Sequence, residues 1–503
     1  MDPNIINILL PFQEPKLFVL IALGTFVGIY VGAIPGLSGT MAVSLLISFT
    51  FGWETNSALA IMIGVYTGAV YGGSRSAILL NIPGAPAAVA TALDGYPLAK
   101  KGEAGRAIGI VTVQSFIGGF IGIFFLAFAT PLVSKLALSF APIDYFLLSM
   151  MGLMLVGTLG SKSKSKGFLM GGLGLILGMI GMDPFSGKPR LTFGQFGLLS
   201  GVDYITAMIG LFGASEVLVQ ILSREAPTIK QKVDKIIPSF KTVIQYLPLT
   251  IRSGIIGTIV GALPGAGGDI AALLSYDLAK RTVRNPKVPF GEGAIEGLVA
   301  PETANNAVIG GAFIPMLTLG IPGDSVTAII IGALFIHGLK PGPMMMADTP
   351  HIFWYIVGAC IIANIAMLIF GMTGVKLFVK IVDMPKGVLY PVIIALSVIG
   401  AYSVNTNVMD IFWMLGFGMV GYILKTYDYP VAPMVLGVIL ANMVETNLRR
   451  SLMAEGSVSG MFGILFNSPI TIVLLLFILL MLIAQSKWFL TLLDKKLPQK
   501  TAE

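Results

Sequence analysis

The sequence predicts an all-α polytopic membrane protein built from two inverted-topology repeats, whose Pro-Gly-broken helices or re-entrant hairpins meet near the membrane midplane. Three observations predict it. The 503 residues are 55% hydrophobic and only 11% charged, with mean hydropathy +0.88, whereas soluble domains carry about 25% charged residues. Two Pro-Gly motifs interrupt long apolar runs in the first half of the chain. Both motifs return, in the same order, in the second half.

The repetition can be followed residue by residue. G-A-I-P-G-L-S-G at 32–39 returns as G-A-L-P-G-A-G-G at 261–268. Aligned 229 residues apart, 27–45 and 256–274 share Gly28/Gly257, Val31/Val260, Gly32/Gly261, Ala33/Ala262, Pro35/Pro264, Gly36/Gly265, Gly39/Gly268, Ala42/Ala271 and Leu45/Leu274. L-L-N-I-P-G at 79–84 returns as T-L-G-I-P-G at 318–323, now 239 residues on, so the second half has gained ten residues. The charged loop at 279–287 can hold them.

Proline removes a backbone donor and glycine accepts positive φ, so Pro-Gly inside an apolar run breaks a helix and leaves N–H and C=O groups unpaired. In a bilayer such groups are tolerated only inside protein or beside a wet cavity. Broken segments at matching places in two halves point to a transporter's binding site. A single Pro-Gly kink could simply help helices pack; four in repeat register favour the site.

A membrane helix needs about 20 apolar residues, and the chain offers about a dozen candidate segments on that measure. One cysteine, Cys360, excludes an internal disulfide and any CxxC metal site. The net charge of +7 sits in short loops between spans, which positive-inside topology explains without nucleic acid. The N-terminus lacks the basic region and small-residue cleavage site of a signal peptide, so the first helix is expected to stay.

In order, 16–52 reads as an apolar segment broken at Ile34-Pro35-Gly36, closed by the loop 52–56, which has no Lys or Arg. Residues 57–80 form a span, and Pro83, Gly84 and Pro86 break the chain before a loop marked cytoplasmic by Lys100, Lys101 and Arg106. Spans at 107–131, 143–160, 167–182 and 203–222 follow, with S-K-S-K-S-K at 161–166 as a cytoplasmic turn. A basic linker at 223–252 separates a first repeat half, 1–235, from a second, 236–503. There, 243–279 is broken at Pro264-Gly265, and Lys280, Arg281, Arg284 and Lys287 put the next loop in the cytoplasm. The two first breaks thus lie on opposite membrane sides, as inverted repeats require. Spans at 352–380, 387–403, 408–425, 430–448 and 461–484 complete the chain, with Arg449 and Arg450 falling outside against the charge rule.

These motifs, with Y-G-G-S at 71, A-L-D-G-Y-P-L-A at 92, A-P-E-T-A-N-N-A at 300 and G-L-K-P-G-P at 338, resemble the large membrane subunit (TctA-type) of the tripartite tricarboxylate transporters. The likeness runs from about Gly24 to Arg450. It implies a bacterial inner-membrane secondary carrier for a di- or tricarboxylate, coupled to sodium or protons. It also implies a small membrane subunit and a periplasmic solute-binding protein as partners, and leaves room for a homodimer of the membrane complex. Arg75 and Asp324 depart from the family pattern, which expects a neutral residue and Ser or Asn respectively.

Half-helix N-termini at the breaks aim unpaired N–H groups and partial positive charge at a cavity, a carboxylate site. This nominates Pro35, Gly36, Ser38, Gly39, Thr40, Pro83 and Gly84 in the first half, with Asn81 joining them as an amide whose oxygen could also bind sodium. In the second half it nominates Pro264, Gly265, Gly267, Gly268, Pro322, Gly323 and Ser325, while Asn305 and Asn306 join the substrate-site candidates as amides whose oxygens could also bind sodium, or instead knit helices together by hydrogen bonds. Arg75 could grip a carboxylate bidentately, or instead pair internally. Thr67, Asp269, Glu302, Thr303, Thr318 and Asp324 are ion-coupling candidates, since oxygen ligands suit sodium and ionisable groups inside membrane segments are functional by default. Asp269 could equally cap a helix. No cofactor is expected beyond sodium as a coupling ion. His337 and His351 are too far apart in sequence to suggest a metal pair.

Two rivals belong to other classes. An intramembrane hydrolase of the aspartyl type needs G-x-G-D, and Ala266 breaks that order before Asp269. A passive anion channel would use the breaks as a filter rather than a gated site.

Overall fold

The computed structural model describes residues 3–34, 37–159, 163–222, 236–374, 386–455 and 463–485 without 464 and 467. In chain order the main helices are α1 Pro15–Ala33, α2 Gly39–Thr50, α3 Thr55–Leu80, α4 Ala88–Leu98, α5 Ala104–Ala137, α6 Pro142–Leu159 and α7 Lys164–Gly178. A two-stranded hairpin, β1 Gly181–Met182 and β2 Pro189–Arg190, precedes α8 Tyr204–Leu222. The second half brings α9 Leu247–Ala262, α10 Gly267–Thr282, α11 Glu296–Leu319, α12 Ser325–Ile336 and α13 Pro350–Thr373. Then come α14 Lys386–Asn405, α15 Val408–Thr426, α16 Val431–Glu455 and α17 Pro469–Gln485. Seven helices among the described residues are long and apolar enough to cross a membrane, making this a multi-pass membrane protein.

Glycine at every fourth position lets α1 and α3 touch backbone to backbone. A Cβ built on Gly24, Gly28 or Gly32 would fall 2.2–2.4 Å from the carbonyl oxygens of Ile61, Val65 and Ala69. The α3 glycines Gly64, Gly68 and Gly72 meet the carbonyls of Ile21, Thr25 and Ile29 in return. The paired residues advance together, so the two helices run parallel. Lys16 at the start of α1 reaches Glu54 at the start of α3, 2.9 Å away, which forces the short α2 to travel back between them. Small-residue faces of this kind are how helices associate where lipid offers no hydrophobic drive.

The second half packs the same way at the same register. Gly257 and Gly261 of α9 meet the carbonyls of Ala304 and Val308 of α11, and Gly311 meets Thr258. These are the counterparts of Gly28/Val65, Gly32/Ala69 and Gly72/Ile29 at the 229- and 239-residue offsets. The counterpart helices α3 and α11 themselves pack antiparallel: Ser74 bonds to Glu302 and Asn305 to Val70, and Tyr66 stacks edge-on against Phe313.

Helix α11 was not expected as a span, because Glu302, Asn305, Asn306, Pro301 and Pro315 dilute its apolar character. The structure buries every residue from Glu296 to Thr318. Such a helix is affordable because surrounding helices, not lipid, receive its polar groups. Gly118 and Gly122 of α5 meet the carbonyls of Thr303 and Ala307.

Other expectations shift. The linker foreseen over 223–252 ends sooner: α9 begins at Leu247 with Pro248 in its first turn, and Arg252 donates to Thr282 Oγ1 at 2.7 Å. Residues 223–235, and with them the expected boundary at 235, lie outside the described residues. The turn foreseen at 161–166 is already helical from Lys164. The last described helix is Pro469–Gln485, and the expected start of that span at 461 lies outside the described residues.

Arg449, which contradicted the charge rule, is neutralised locally. It lies 2.8 Å from Asp183 and 2.8 Å from Glu445, and Arg190 lies 2.5 Å from the same Glu445. A paired arginine carries little net charge, so it gives the positive-inside bias little to act on. Asp183 is held well below the usual carboxylate range, first by the Ser186 N–H and then by Arg449 and the Phe185 N–H.

Two outcomes are expected. Gly28→Ala drives a Cβ into the Val65 carbonyl and should destabilise the protein by about 1–3 kcal/mol. Gly172→Ala, with nothing within 4 Å, should be neutral or stabilising by at most about 1 kcal/mol; thermal melts in detergent compare them. Because the folded value of Asp183 lies below its unfolded value of about 3.9, its stabilisation is full above that pH and fades as pH falls toward the folded value. Amide exchange across 181–190 should therefore accelerate below about pH 4, and in Asp183→Asn should be fast and pH-independent once corrected for intrinsic exchange.

Candidate functional site

Each of the four motifs ends one helix and begins another. After α1, Ser38 is extended and its Oγ accepts from Met41 N at 3.1 Å to cap α2; Pro35 and Gly36 lie outside the described residues. After α3, Asn81 turns left-handed at φ 57°. Gly84 then seats against the Gly32 carbonyl and donates to Gly73 O at 3.2 Å, leading into α4. After α9, Gly265 and Gly267 take positive φ, 71° and 73°, and start α10. After α11, Gly320 repeats the left-handed turn of Asn81 at φ 71°, Gly323 seats against the Gly261 carbonyl as Gly84 does against Gly32, and Asp324 begins α12.

The starts of all four short helices face one cleft of about 280 Å³. Ser38, Gly39 and Thr40 bring α2, Ala85–Ala87 bring α4, Gly265–Asp269 bring α10, and Asp324–Val326 bring α12. Tyr66, Ala69 and Val70 of α3 form one wall, Asn305 and Val308 of α11 another, and Ala432 of α16 closes it. Among the described residues, no Lys, Arg or His lines this cleft. Its positive potential comes from helix ends, each worth about half an elementary charge.

The four ends differ. Ser38 caps α2, and Asp324 caps α12 through Oδ1, which accepts from Thr327 N and Oγ1 at 2.8 Å each. Ala87 and Ala266, at the starts of α4 and α10, have no side chain to offer as a cap; backbone carbonyls accept there instead, Ala85 O from Ala88 N at 3.0 Å, Pro86 O from Val89 N at 3.2 Å and Leu263 O from Ala266 N at 3.1 Å. Tyr66 donates to Asp324 Oδ2 at 2.5 Å, tying α3 to α12 across the cleft. Asp269 stands in the first turn of α10, where a carboxylate favours the dipole. Asn305 donates to Val70 O at 3.2 Å and presents the rest of its amide to the cleft.

Of the residues nominated from sequence, the cleft collects Ser38, Gly39, Thr40, Gly265, Gly267, Gly268, Asp269, Asn305, Asp324 and Ser325. Gly84, Pro264, Pro322 and Gly323 stand behind this lining as parts of the breaks, as does Pro83. Asn81 is exposed at a helix end, outside the lining. Thr303 and Thr318 donate to their own helix, to Val299 O and Ile314 O at 2.7 Å. Thr67 and Asn306 are buried, each with a side-chain oxygen lacking a protein partner. Glu302 is buried away from the cleft.

Arg75 is fully buried outside the cleft. Its Nη2 donates to the carbonyls of Phe370 and Gly371 at 3.1 and 2.5 Å, and its Nε to Tyr71 Oη at 3.2 Å. These carbonyls end α13, where a cation meets the negative helix pole. Arg75 thus clamps α3 to α13 without needing a carboxylate.

Sequence reasoning missed Tyr66, although the repeat register contains it: Tyr66 stands 239 residues before Asn305. Ala432 had no signal at all. Two larger cavities, about 840 and 590 Å³, lie beside the hairpin and the 405–410 connection. Neither gathers the broken-helix starts, so size alone does not identify the site.

The family model for the tripartite tricarboxylate transporter TctA family matches residues 18–436. An uncharacterized 52.8 kDa protein in the TAR-I ttuC′ 3′ region of Agrobacterium vitis is 35% identical over 452 residues, covering 89% of both chains. A second Agrobacterium vitis protein, from the TAR-II ttuC′ 3′ region and also uncharacterized, is 39% identical over 196 residues, 39% of this chain and 81% of its own. No solved structure matches the chain. With the family model spanning both pairs of breaks, the chain belongs to the tripartite tricarboxylate transporter TctA family, as a transporter subunit of a system with further subunits.

Proposed function

We propose that the chain is the carrier subunit of a bacterial inner-membrane importer for an organic di- or tricarboxylate. A periplasmic solute-binding protein delivers the substrate, a small membrane subunit completes the complex, and a sodium or proton gradient drives uptake. The observation that carries this is the convergence of four helix N-termini from two halves of the chain on one cleft. The positive poles of the four short helices draw the carboxylates, with Ser38, Thr40, Ser325 and Asn305 supplying side-chain hydrogen bonds.

An anion held by helix ends rather than by arginine or lysine is released more readily, because partial charges bind less tightly than full ones. A carrier must release what it binds. Asp269 and Asp324 add negative charge at the same place, so the carboxylate is welcome only when that charge is compensated. Entry of a cation with the substrate supplies the compensation, which is the electrostatic basis for coupling.

The packing register shared by the two halves, and the antiparallel run of α3 and α11, support inverted-topology repeats around this cleft. Access then alternates as one part moves against the other. Pro-Gly breaks at both ends of each unit place the mobile connections beside the substrate.

Two measurements test the reading. Asn305→Ala should lower uptake about tenfold or more, the size of one hydrogen bond to a charged group, while membrane insertion persists. Asn81→Gly should keep uptake, since Gly320 holds the matching left-handed turn. Equal losses in both variants would remove Asn305 from the site. In vesicles containing the complete system, an imposed sodium or proton gradient should concentrate substrate above its outside level. Equilibration without accumulation would make the protein a channel.

A further inference from the structure

The two helix starts that reach the cleft without a capping side chain, α4 and α10, are tied together about two turns further on, at a carboxylate outside the cleft. Asp94 of α4, the acid of A-L-D-G-Y-P-L-A, is fully buried. Its Oδ1 accepts from three backbone N–H groups of the loop between α10 and α11: Gly291 at 2.8 Å, Gly293 at 2.9 Å and Ala294 at 2.7 Å. Its Oδ2 accepts from Tyr276 Oη of α10 at 2.8 Å. One side chain thus joins α4, α10 and the loop that opens α11.

The loop is shaped to receive it. Gly291 and Gly293 stand at φ 92° and 105°, which other residues rarely adopt. Turns of this kind aim successive N–H groups at one point, as backbone nests do for bound anions. Here the anion is the chain's own. Gly297, in the first turn of α11, leaves room for it, since a Cβ there would collide with Asp94 Oδ2. Around this polar centre Ala87 and Ala90 of α4 pack with Ala272 and Tyr276 of α10, and Phe290 stands edge-on to Tyr276, ring centroids 5.6 Å apart. Lys101, just past α4, donates to the Glu292 carbonyl at 2.7 Å and holds the loop from its other side.

The other pair of short helices lacks this tie. At the matching register positions α2 and α12 carry Ile47 and Ala333, both buried and neither with a polar side-chain atom. Apolar contact has no direction, whereas hydrogen bonds to a carboxylate fix distance and angle together.

We propose that Asp94 is a positioning residue for the substrate cleft. It holds α4, α10 and the head of α11 as one rigid piece, so that the cleft-facing starts of α4 and α10 keep their spacing although they come from different halves of the chain. Groups that must meet one ligand together act well only when held in fixed relation. The effect on substrate rests on the carrier reading; the rigid piece does not.

Tyr276→Phe tests this, because it removes one bond and leaves the loop on Oδ1. In the purified variant, amide exchange is expected to quicken about tenfold or more in both α4 and α10, the size of one hydrogen bond to a charged group, and to stay unchanged in α2 and α12. Asp94→Asn should extend the effect to 291–294; should it fail to fold, Tyr276→Phe carries the test alone. In vesicles with the complete system, Tyr276→Phe should raise the substrate concentration for half-maximal uptake several-fold while the maximal rate per folded protein is kept. Exchange that quickens in all four short helices alike, or in neither α4 nor α10, overturns the proposal. So does an unchanged half-maximal concentration, which would leave Asp94 a contact for stability alone. Exchange quickened in α4 and α10 only, where the wild type never accumulates substrate, leaves the rigid piece standing and removes the carrier reading.

Discussion

Everything in this fold answers to one constraint: backbone N–H and C=O groups freed by a Pro-Gly break cannot face lipid. The breaks are therefore wrapped by helices that come unusually close, and closeness requires glycine. Gly32 and Gly261 illustrate the coupling. Each lets its helix touch a partner helix, and each also offers its carbonyl to the turn of the next break, at Gly84 and Gly323. The same residues that knit the scaffold thus position the helix starts that line the cleft. Rigidity of the wall and placement of the ligand groups are one property, not two.

What the sequence disclosed follows from which effects are local. A Pro-Gly break is a property of a few adjacent residues, so all four breaks could be located in advance, and the repeat register paired them. The helix N-termini followed, and with them ten of the cleft residues. Effects that depend on distant chain were hidden. Arg75 looks like an anion ligand until α13 brings two carbonyls to it. Arg449 looks misplaced until Asp183 and Glu445 are beside it. Helix α11 reads as too polar to span because its solvent is the rest of the protein; periodicity and hydropathy measure only the average environment. Tyr66 was within reach of the register argument, since its counterpart Asn305 had been picked out.

The electrostatics of the two halves are deliberately unequal where the geometry is alike. At matching positions, Thr40 faces Asp269 and Ala85 faces Asp324. The first half contributes neutral helix starts, hydroxyl-bearing at α2 and bare at α4, while the second sets a carboxylate in or before the first turn of each short helix. Substrate bound between them meets a favourable dipole from both sides but full negative charge from only one. Symmetric scaffolding with asymmetric charge orients a polyanion: its carboxylates are drawn toward the first-half ends, away from Asp269 and Asp324.

That orientation depends on the state of Asp324. Tied by Tyr66 on one oxygen and by Thr327 on the other, it has no freedom to swing toward a ligand, so its charge acts at a fixed distance. A fixed like charge beside an anion site keeps the cost of binding high until a cation arrives, and raises it again when the cation leaves. Coupling needs no lever between ion and substrate under these conditions. Two charges that are each tolerable only in the other's presence are linked by Coulomb's law alone, with a strength set by how far apart the rigid helices hold them.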